Sequence, residues 1–468
     1  MREKTVSKYL MARRFRRRLK SKLWRKERIK RLQSLYNQSR YYRLMGNQIN
    51  SFSDAFNYFM PNHVKYLLMN EESPLFHNNL FDNVYTPVLE LKVPSVFSII
   101  SNPAESYQLL RQLSSCIYFQ TCKQLWIDYV NCTKCDLTTQ VFLDSILIDY
   151  RKFMEDCHKA KIEKYLRLDS FGGKNINDSK LRSMIYSVGS PVELLNRSMK
   201  FSNIIPFRLR HIDGEKTVKK LRLGQKEIDT SDLIQYVIDC LSRFGKTLSQ
   251  QARQDLGNVI GETISNAEEH SSLHNRYLIG YMEETHSEKN HYGILNLVMM
   301  NTGSTIYEKF KYPDDEKPIN YDCISQMKAL SDRFQKRNFF RPNSFTEENL
   351  WTLYSLQGGV SCIPPSIRKR GNGTIEFINS FFSLKGAMDV DPISKMSIIS
   401  GHTQIDFDGN YKIIKSNNEL GESICRVTFN NTNSLNDKPD SNYVYHIKHY
   451  FPGTIICAQL LINDDDLQ

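Results

Sequence analysis

Residues 262–270 read Glu262-Thr-Ile-Ser-Asn266-Ala267-Glu-Glu-His270, and this stretch carries the most specific pattern in the chain. Glu262, Asn266 and His270 recur at four-residue intervals, so on an α-helix they would lie along one side. That side would present a carboxylate, an amide and an imidazole together. Oxygen ligands suit Mg²⁺, and a carboxylate can activate a water molecule. An ordinary solvated helix face would show the same residue types. The downstream sequence is therefore needed to distinguish a binding site from a solvated face.

Three glycine-containing segments follow this stretch, and each adjoins an apolar run. A glycine directly after a buried strand lets the backbone approach a flat ligand closely. A basic, glycine-rich turn at the start of a helix presents backbone N–H groups and a positive dipole to a polyphosphate. The segments are Asn301-Thr302-Gly303-Ser304-Thr305 after the apolar run 293–300, Arg368-Lys369-Arg370-Gly371-Asn372-Gly373-Thr374 before an apolar periodic stretch, and Gly453-Thr454 before the strand-like run 455–462.

In this order the four segments resemble the sequence boxes of the GHKL, or Bergerat-fold, ATPase family. The resemblance covers roughly residues 225–465, and the first box is its most specific part. It implies an α/β fold, an α+β sandwich of the GHKL ATPase type, with ATP and Mg²⁺ as ligands. The matching residues are Glu262, Asn266, Ala267 and His270 in Glu-x-x-x-Asn-Ala-x-x-His, Asn301, Gly303 and Thr305 in Asp-x-Gly-x-Gly, Gly371 and Gly373 in Gly-x-Gly, and Gly453 and Thr454 in the final Gly-Thr strand.

The resemblance also implies roles for the matching residues. Glu262 would orient or deprotonate the attacking water, Asn266 would coordinate Mg²⁺, and Thr454 would reach the adenine edge. A mobile lid would lie within residues 306–368. The other residues implied to line the nucleotide are His270, Asn301, Gly303, Thr305, Arg370, Gly371, Asn372 and Gly373.

The second box departs from the family pattern at two positions. Asn301 stands where the family has an aspartate against the adenine amino group, and Thr305 replaces the second glycine. An amide oxygen still accepts that hydrogen bond, at a loss of about 1 kcal/mol because it lacks full charge. The sequence therefore predicts a weakened preference for adenine.

The upstream span from 85 to 212 alternates strand-like and helical apolar patterns, which predicts a small α/β domain. A strand-like run at 125–130 is followed by Asp136-Leu-Thr138-Thr139 and then by a helical pattern. This order resembles a STAS-like domain, the fold of anti-sigma-factor antagonists, in which Thr138 or Thr139 would be the phosphoacceptor. The simpler alternative is that these residues cap an ordinary helix, with Asp136 as its N-cap.

The first 43 residues contain 17 lysines and arginines and two acids, which gives this segment a net charge of +15. The net charge of the whole chain is +12, so the other 425 residues together carry −3. Apolar residues at four-residue intervals, Met11, Phe15, Leu19 and Leu23, predict an amphipathic cationic helix. Such an arm would bind nucleic acid without sequence specificity, or another anionic surface such as a membrane. Alternatively, it would pack on its own protein.

The remaining sequence features set broader limits. No apolar run is long enough for a transmembrane helix, and no secretory signal begins the sequence. Ten scattered cysteines without such a signal predict reduced thiols and a cytoplasmic protein, although Cys132-x-x-Cys135 leaves a zinc site open. The predicted organisation is a basic helical arm at 1–45, a connecting segment at 46–84, the small α/β domain at 85–212, and the ATP-binding domain at 213–468.

Three functions remain open at this stage. The first is an ATP-hydrolysing conformational switch that acts on a protein partner through the upstream domain, with homodimer formation left open. The second is a Ser/Thr protein kinase of the anti-sigma-factor type. The third is a regulatory protein that binds nucleotide without turnover. A histidine kinase is disfavoured, because His211 is the only histidine in the segment expected to carry an acceptor, and its context is turn-like.

Overall fold

The computed structural model describes ten segments of the chain. They are residues 37–77, 85–195, 199–214, 219–286, 291–313, 318–335, 345–364, 373–384, 391–417 and 423–463. The chain divides into two compact units. The first comprises Met1–Met60 and Tyr150–Arg167, and the second comprises Pro61–Asp149 and Leu168–Gln468.

The first unit is helical in its described part. It contains α1 (37–46), α2 (Phe52–Phe59), a 3₁₀ turn (Glu163–Tyr165) and the C-terminal half of α5 (Leu137–Lys159). The Phe52 ring packs edge-on against Phe153 at 6.1 Å, and the Tyr42 hydroxyl donates to Asp156 Oδ1 over 2.7 Å. Burial raises the pKa of Tyr42, and its hydrogen bond to the Asp156 carboxylate raises it further, so the phenol stays protonated.

A three-stranded parallel sheet opens the second unit. Its strands are β1 (Thr86–Lys92), β3 (Cys122–Asp128) and β5 (Ser170–Lys174), in the order β1-β3-β5, and a short pair joins β2 (Val96–Phe97) to β4 (Lys134–Cys135). Parallel strands need crossover connections, which helices supply here. The helices of this region are α3 (Asn62–Met69), α4 (Pro103–Tyr118), α5, α6 (Ser179–Val188) and α7 (Ser190–Leu195).

A five-stranded sheet forms the centre of the second unit, and every neighbouring pair in it is antiparallel. The strand order is β6-β7-β8-β12-β9. Its strands are β6 (Ile204–Ile212), β7 (Arg276–His286), β8 (His291–Thr302), β9 (Lys395–Phe407) and β12 (Val444–Asn463), and a separate hairpin joins β10 (Ile414–Asn417) to β11 (Ser423–Arg426). The helices of this region are α8 (Lys219–Ser242), α9 (Gln250–His270), α10 (Ile306–Lys311), α11 (Tyr321–Gln335), α12 (Glu347–Ser355) and α13 (Gly373–Ser383).

Helices cover both faces of the five-stranded sheet. Side chains alternate along a strand, and Leu278 and Met282 of β7 join one apolar core with residues of α8, α9 and α13. Tyr277 points to the opposite face, where its hydroxyl donates to Asp149 of α5 over 2.7 Å. On that face Phe451 of β12 also packs edge-on against Phe142 of α5, with ring centroids 5.6 Å apart. The predicted mixed α/β class is confirmed.

One strand crosses the predicted boundary between the upstream domain and the ATP-binding domain. Strand β6 lies within the span 85–212 that was assigned to the upstream domain, yet it pairs with β7 as the edge of the five-stranded sheet. That sheet therefore begins at Ile204, ahead of the predicted boundary at residue 213. The upstream prediction of alternating strands and helices is otherwise matched by β1, α4, β3 and α5.

Most of the predicted basic arm lies outside the described residues, including Met11, Phe15, Leu19 and Leu23. The connecting segment 46–84 contains α2 and α3, and its residues 78–84 also lie outside the described part. Among the described helices, none combines the length and the apolar character needed to cross a membrane.

Candidate functional site

Helix α9 carries the polar stripe that the sequence predicts. The helix begins after Ser249, whose side chain accepts from Ala252 N, and it ends at His270. Glu262 and Asn266 lie three and seven residues beyond Val259 on this helix, and both are partly buried. The helical prediction for residues 262–270 is confirmed. The side chain of His270 lies outside the described residues, so its predicted place near the phosphates stays a prediction.

The buried side chain of Asn301 joins three of the four predicted boxes. From the end of β8, its Nδ2 donates to the Ala267 carbonyl of α9 over 2.6 Å. Its Oδ1 accepts from the backbone N–H of Thr454 in β12 over 2.9 Å. An aspartate could accept from Thr454 but could not donate to Ala267. The two hydrogen bonds explain an amide at this position. They leave the second lone pair of its oxygen and the second N–H of its nitrogen for a ligand.

Two glycines of the predicted boxes occupy backbone conformations that other residues rarely adopt. Gly303 has φ +128°, and a Cβ there would meet Ser272 Oγ at 2.9 Å. Gly453 has φ +146°, and a Cβ there would overlap the carbonyl oxygen of Asn301. Gly303 is needed for the close approach of the turn at Ser271 and Ser272, and Gly453 is needed for the close pairing of β12 with β8. Gly303 N also donates to Pro452 O over 3.1 Å. Both requirements exist whether or not a ligand binds.

The hydroxyls of Thr305 and Thr454 already have partners in the protein. Thr305 is the N-cap of α10 and forms a capping box with Glu308, and its side chain is buried. Thr454 Oγ1 lies 3.1 Å from Ser400 Oγ, which also donates to the Gly453 carbonyl over 2.9 Å. Ser400 is buried on β9 and was not predicted, because no sequence pattern marks a serine in the middle of a strand.

A cleft of about 450 Å³ lies between α9 and α13. Helix α13 begins at Gly373, the last residue of the predicted glycine turn, while Arg370, Gly371 and Asn372 lie outside the described residues. Glu262 and Asn266 stand seven residues beyond two of the cleft residues of α9, so helical geometry puts them on the same side. The lining residues include Asp255, Asn258 and Val259 of α9, Glu376, Asn379 and Ser380 of α13, and Lys415 of β10.

A buried ion pair fixes a different side of α9. Arg276 of β7 is fully buried, and it donates from Nη2 to Asp229 of α8 over 2.7 Å and from Nε to Glu268 of α9 over 3.0 Å. Burial raises the pKa of Glu268, with the charge of Arg276 acting against the rise. Along a helix, residue 268 points well away from residues 262 and 266. No sequence pattern marks Arg276, because the position of an arginine at the start of a strand does not identify its partners.

The residues at the start of α5 serve as helix-capping residues. Asp136 Oδ1 accepts from Thr139 N over 2.7 Å, which confirms the predicted N-cap. Thr139 is fully buried and its Oγ1 accepts from Ile99 N over 2.7 Å, and the Thr138 side chain is also buried. Neither hydroxyl is accessible to a kinase in this conformation.

The cysteines of the Cys132-x-x-Cys135 segment have the properties of structural thiols. All ten cysteines lie in the described residues, and none of them forms a disulfide there. Burial raises the pKa of Cys132 to about 11 and holds the pKa of Cys135 well above its ordinary value. Among the described residues, Cys132 and Cys135 belong to no group of three or more side chains that could hold a metal ion.

No family model, curated protein or solved structure matches the chain. The interpretation of α9 therefore depends on its residues and on the contacts that surround them.

Proposed function

We propose that the protein binds Mg·ATP beside the cleft-facing side of α9 and hydrolyses it, in the manner of a GHKL-type ATPase. The observation that carries the proposal is the position of Glu262 and Asn266 on the same side of α9 as the residues that line the cleft. One turn of helix separates a carboxylate that can activate water from an amide oxygen that can coordinate Mg²⁺.

The scaffold around α9 supports precise positioning of these two side chains. Asn301 holds the carbonyl of Ala267, and Arg276 holds Glu268, so the C-terminal half of the helix is fixed to β8 and β7. Catalytic groups work best on elements whose orientation is set by packing and hydrogen bonds. Helices α8, α9 and α13 on one face of a five-stranded sheet also agree with the α+β sandwich that the family resemblance implies.

The charges that line the cleft favour a metal-bound nucleotide. Asp255 and Glu376 each bring a carboxylate, and Lys415 brings one ammonium group. Bare triphosphate would be repelled by the two carboxylates, whereas bound Mg²⁺ offsets much of the phosphate charge. Binding at this site is therefore expected to require Mg²⁺, with Asn266 as a metal ligand from the protein.

Contacts on the other face of the sheet could transmit a conformational change from the nucleotide site to a protein partner. Helix α5 of the upstream region packs there through Phe142 and Asp149, against the strands that carry Tyr277 and Phe451. A shift of β7 or β12 on nucleotide binding would reach α5 directly. We infer that the protein acts as a nucleotide-driven switch for a protein partner that binds its upstream region.

A hydrolysis assay with a charge-neutral substitution tests the proposal. Glu262→Gln keeps the size of the side chain but removes the base, so the single-turnover rate of ATP hydrolysis with Mg²⁺ should fall by about 100-fold or more. The dissociation constant of Mg·ATP should change little, because this carboxylate acts on water. Glu227→Gln, on the exposed surface of α8, is the matched control and should hydrolyse at the wild-type rate. If wild type and Glu262→Gln hydrolysed ATP at equal rates, the proposed ATPase activity at this site would be refuted.

The second candidate is a regulatory protein that binds the nucleotide without turnover. Asn301 favours it, because the amide is engaged with Ala267 and Thr454 and offers less to adenine than an aspartate would. Binding of Mg·ATP with no hydrolysis by wild type would select this function. Phosphotransfer to Thr138 or Thr139 is the least supported of the three candidate functions, because both side chains are buried.

A further inference from the structure

Two histidines and an aspartate from three separate elements converge in the interior of the second unit. They are His63 of α3, Asp149 of α5 and His211 of β6, and their ligand atoms all lie within 4.8 Å of one another. His63 Nε2 is 2.8 Å from Asp149 Oδ2. The side chains of both residues are almost completely buried, with exposed fractions of 4% and 2%. Buried ionisable groups on this scale are costly unless they are paired or bind a metal.

We propose that His63, Asp149 and His211 form a binding site for one divalent transition-metal ion of the zinc class. Two imidazoles and one carboxylate are a ligand set that zinc-class ions use, at metal–ligand distances of about 2.0–2.2 Å. Ligand atoms around such an ion lie about 3–3.5 Å apart in tetrahedral geometry, by the same distances. The separations here require only small side-chain movements to reach that arrangement.

One oxygen of Asp149 lacks a hydrogen-bond donor among the described residues. Asp149 Oδ2 is shared by His63 and by the Tyr277 hydroxyl, which donates over 2.7 Å. Asp149 Oδ1 is buried, and no residue in the described part of the chain donates a hydrogen bond to it. A buried carboxylate oxygen without a donor is rare in native proteins and calls for an ion or a water. This oxygen is the observation, beyond the proximity of the three residues, that points to a ligand.

The site has room for one small occupant. A cavity of about 10 Å³ adjoins the cluster and is bordered by His63, Asp149 and Tyr277, although not by His211, and otherwise mostly by apolar side chains of α3, α4 and α5. This volume is close to that of a single water or ion. The apolar surroundings would keep solvent away from the metal, and the fourth position would be filled by one water or by the phenol oxygen of Tyr277.

Tyr277 contacts two of the three proposed ligands. Tyr277 stacks on the His211 ring at 4.3 Å and donates to the carboxylate, so it would orient two of the three ligands as a positioning residue. Metal entry would replace the proton between His63 and Asp149, and that proton would leave to solvent.

A metal ion at this site would connect separate elements of the fold. Its ligands join α3 and α5 to the edge strand β6, and Tyr277 belongs to the adjoining strand β7. A bound ion would cross-link the helices of the upstream region to the five-stranded sheet. The proposal does not depend on the proposed ATPase, because neither Glu262 nor the cleft contributes to it.

Metal content and metal-dependent stability of the full chain test the site. After treatment with a chelator, the protein should bind one Zn²⁺ or one Co²⁺ per chain, and its melting temperature should rise with the added metal. Bound Co²⁺ should show the strong visible absorption of a four-coordinate ion with nitrogen and oxygen ligands. His211→Gln and Asp149→Asn should each lower the metal affinity by at least about 100-fold, since even loss of an outer-shell partner costs 10–100-fold.

Two further variants serve as controls. His446 stacks on His402, and this pair is separate from the proposed metal site. His446→Asn should therefore leave the metal affinity unchanged. A Cys132→Ser, Cys135→Ser double variant should also keep one ion per chain, which separates this site from thiol binding. No metal bound by wild type at equimolar concentration would overturn the proposal. Unchanged affinity in folded His211→Gln and Asp149→Asn would overturn it equally, with circular dichroism reporting the folding.

Discussion

The side chain of Asn301 connects segments that lie far apart in the sequence. Its amide bridges Ala267 of α9 and Thr454 of β12 from the end of β8. The sequence marked this position as a departure from a family pattern and predicted a weaker contact with adenine. The structure adds a second reason for the amide, because the Ala267 carbonyl needs a donor that a carboxylate cannot supply.

Replacing this amide by a carboxylate should destabilise the protein. In Asn301→Asp the Ala267 carbonyl loses its donor and faces a buried negative charge, so the free energy of unfolding should fall by about 1–3 kcal/mol. Urea unfolding at neutral pH measures the change. Asn431→Asp, at an exposed position, is the control and should shift the midpoint little. If Asn301→Asp were as stable as wild type, the bridging role of the amide would be wrong.

At the scale of elements, α5 contains a carboxyl group that the fold keeps protonated. Asp144 is buried in this helix, and its Oδ1 accepts from Gln140 Nε2 over 2.8 Å. Burial raises the pKa of Asp144 to about 7, and hydrogen bonds such as that from Gln140 offset only part of the rise. In the unfolded chain the same group would titrate near 3.9. The folded chain therefore holds a proton that the unfolded chain releases between about pH 4 and pH 7.

This difference predicts that stability falls as pH rises through that window. The unfolded state binds fewer protons there, so the free energy of unfolding decreases by up to about 1.4 kcal/mol per pH unit, or roughly 4 kcal/mol in all. Asp144→Asn removes the titration and should unfold at a higher urea concentration than wild type at pH 8, with a smaller advantage at pH 5. Asp169→Asn, at an exposed position, should preserve the wild-type pH dependence. An identical pH dependence in wild type and Asp144→Asn would contradict the assignment.

At the scale of the whole molecule, the charge distribution separates two regions. Residues 1–43 have a net charge of +15, while the rest of the chain is close to neutral. A positive charge of this density binds polyanions through the release of counterions, so its affinity depends steeply on salt. The basic pI of the chain is therefore a property of the arm and not of the sheets and helices described above.

Deletion of residues 1–36 should abolish most binding to polyanions. Fluorescence anisotropy with a labelled DNA or RNA oligonucleotide, repeated at several salt concentrations, should show a steep salt dependence in the full chain and little binding in the truncated one. Vesicles with anionic lipids, measured in parallel, distinguish a membrane surface from nucleic acid. Equal affinity of both chains would show that the arm is not the binding element. Hydrolysis of ATP by the truncated chain provides a check that the remainder is folded.

The sequence by itself determined the local elements. Residue spacing indicated the C-terminal part of α9 and the helical pattern of α4, and short apolar or strand-like runs indicated the strands β1, β3, β8 and β12. Each of these signals depends on near neighbours in the chain. Residue types also identified the N-cap Asp136 and the polar stripe of Glu262 and Asn266. Together these were enough to predict a mixed α/β protein and to nominate the side of α9 on which a nucleotide would bind.

Only the tertiary structure decided which distant residues meet. Three examples are the pairing of β6 with β7, the ion pair of Arg276 with Asp229, and the convergence of His63, Asp149 and His211. The residues that meet in them are separated by several tens of positions or more in the chain. No local pattern encodes such contacts, because they depend on strand order and on the packing of helices against both faces of a sheet. The same packing gives Asn301, Gly303 and Gly453 structural roles, beside the ligand roles that the family resemblance implies for Asn301 and Gly303.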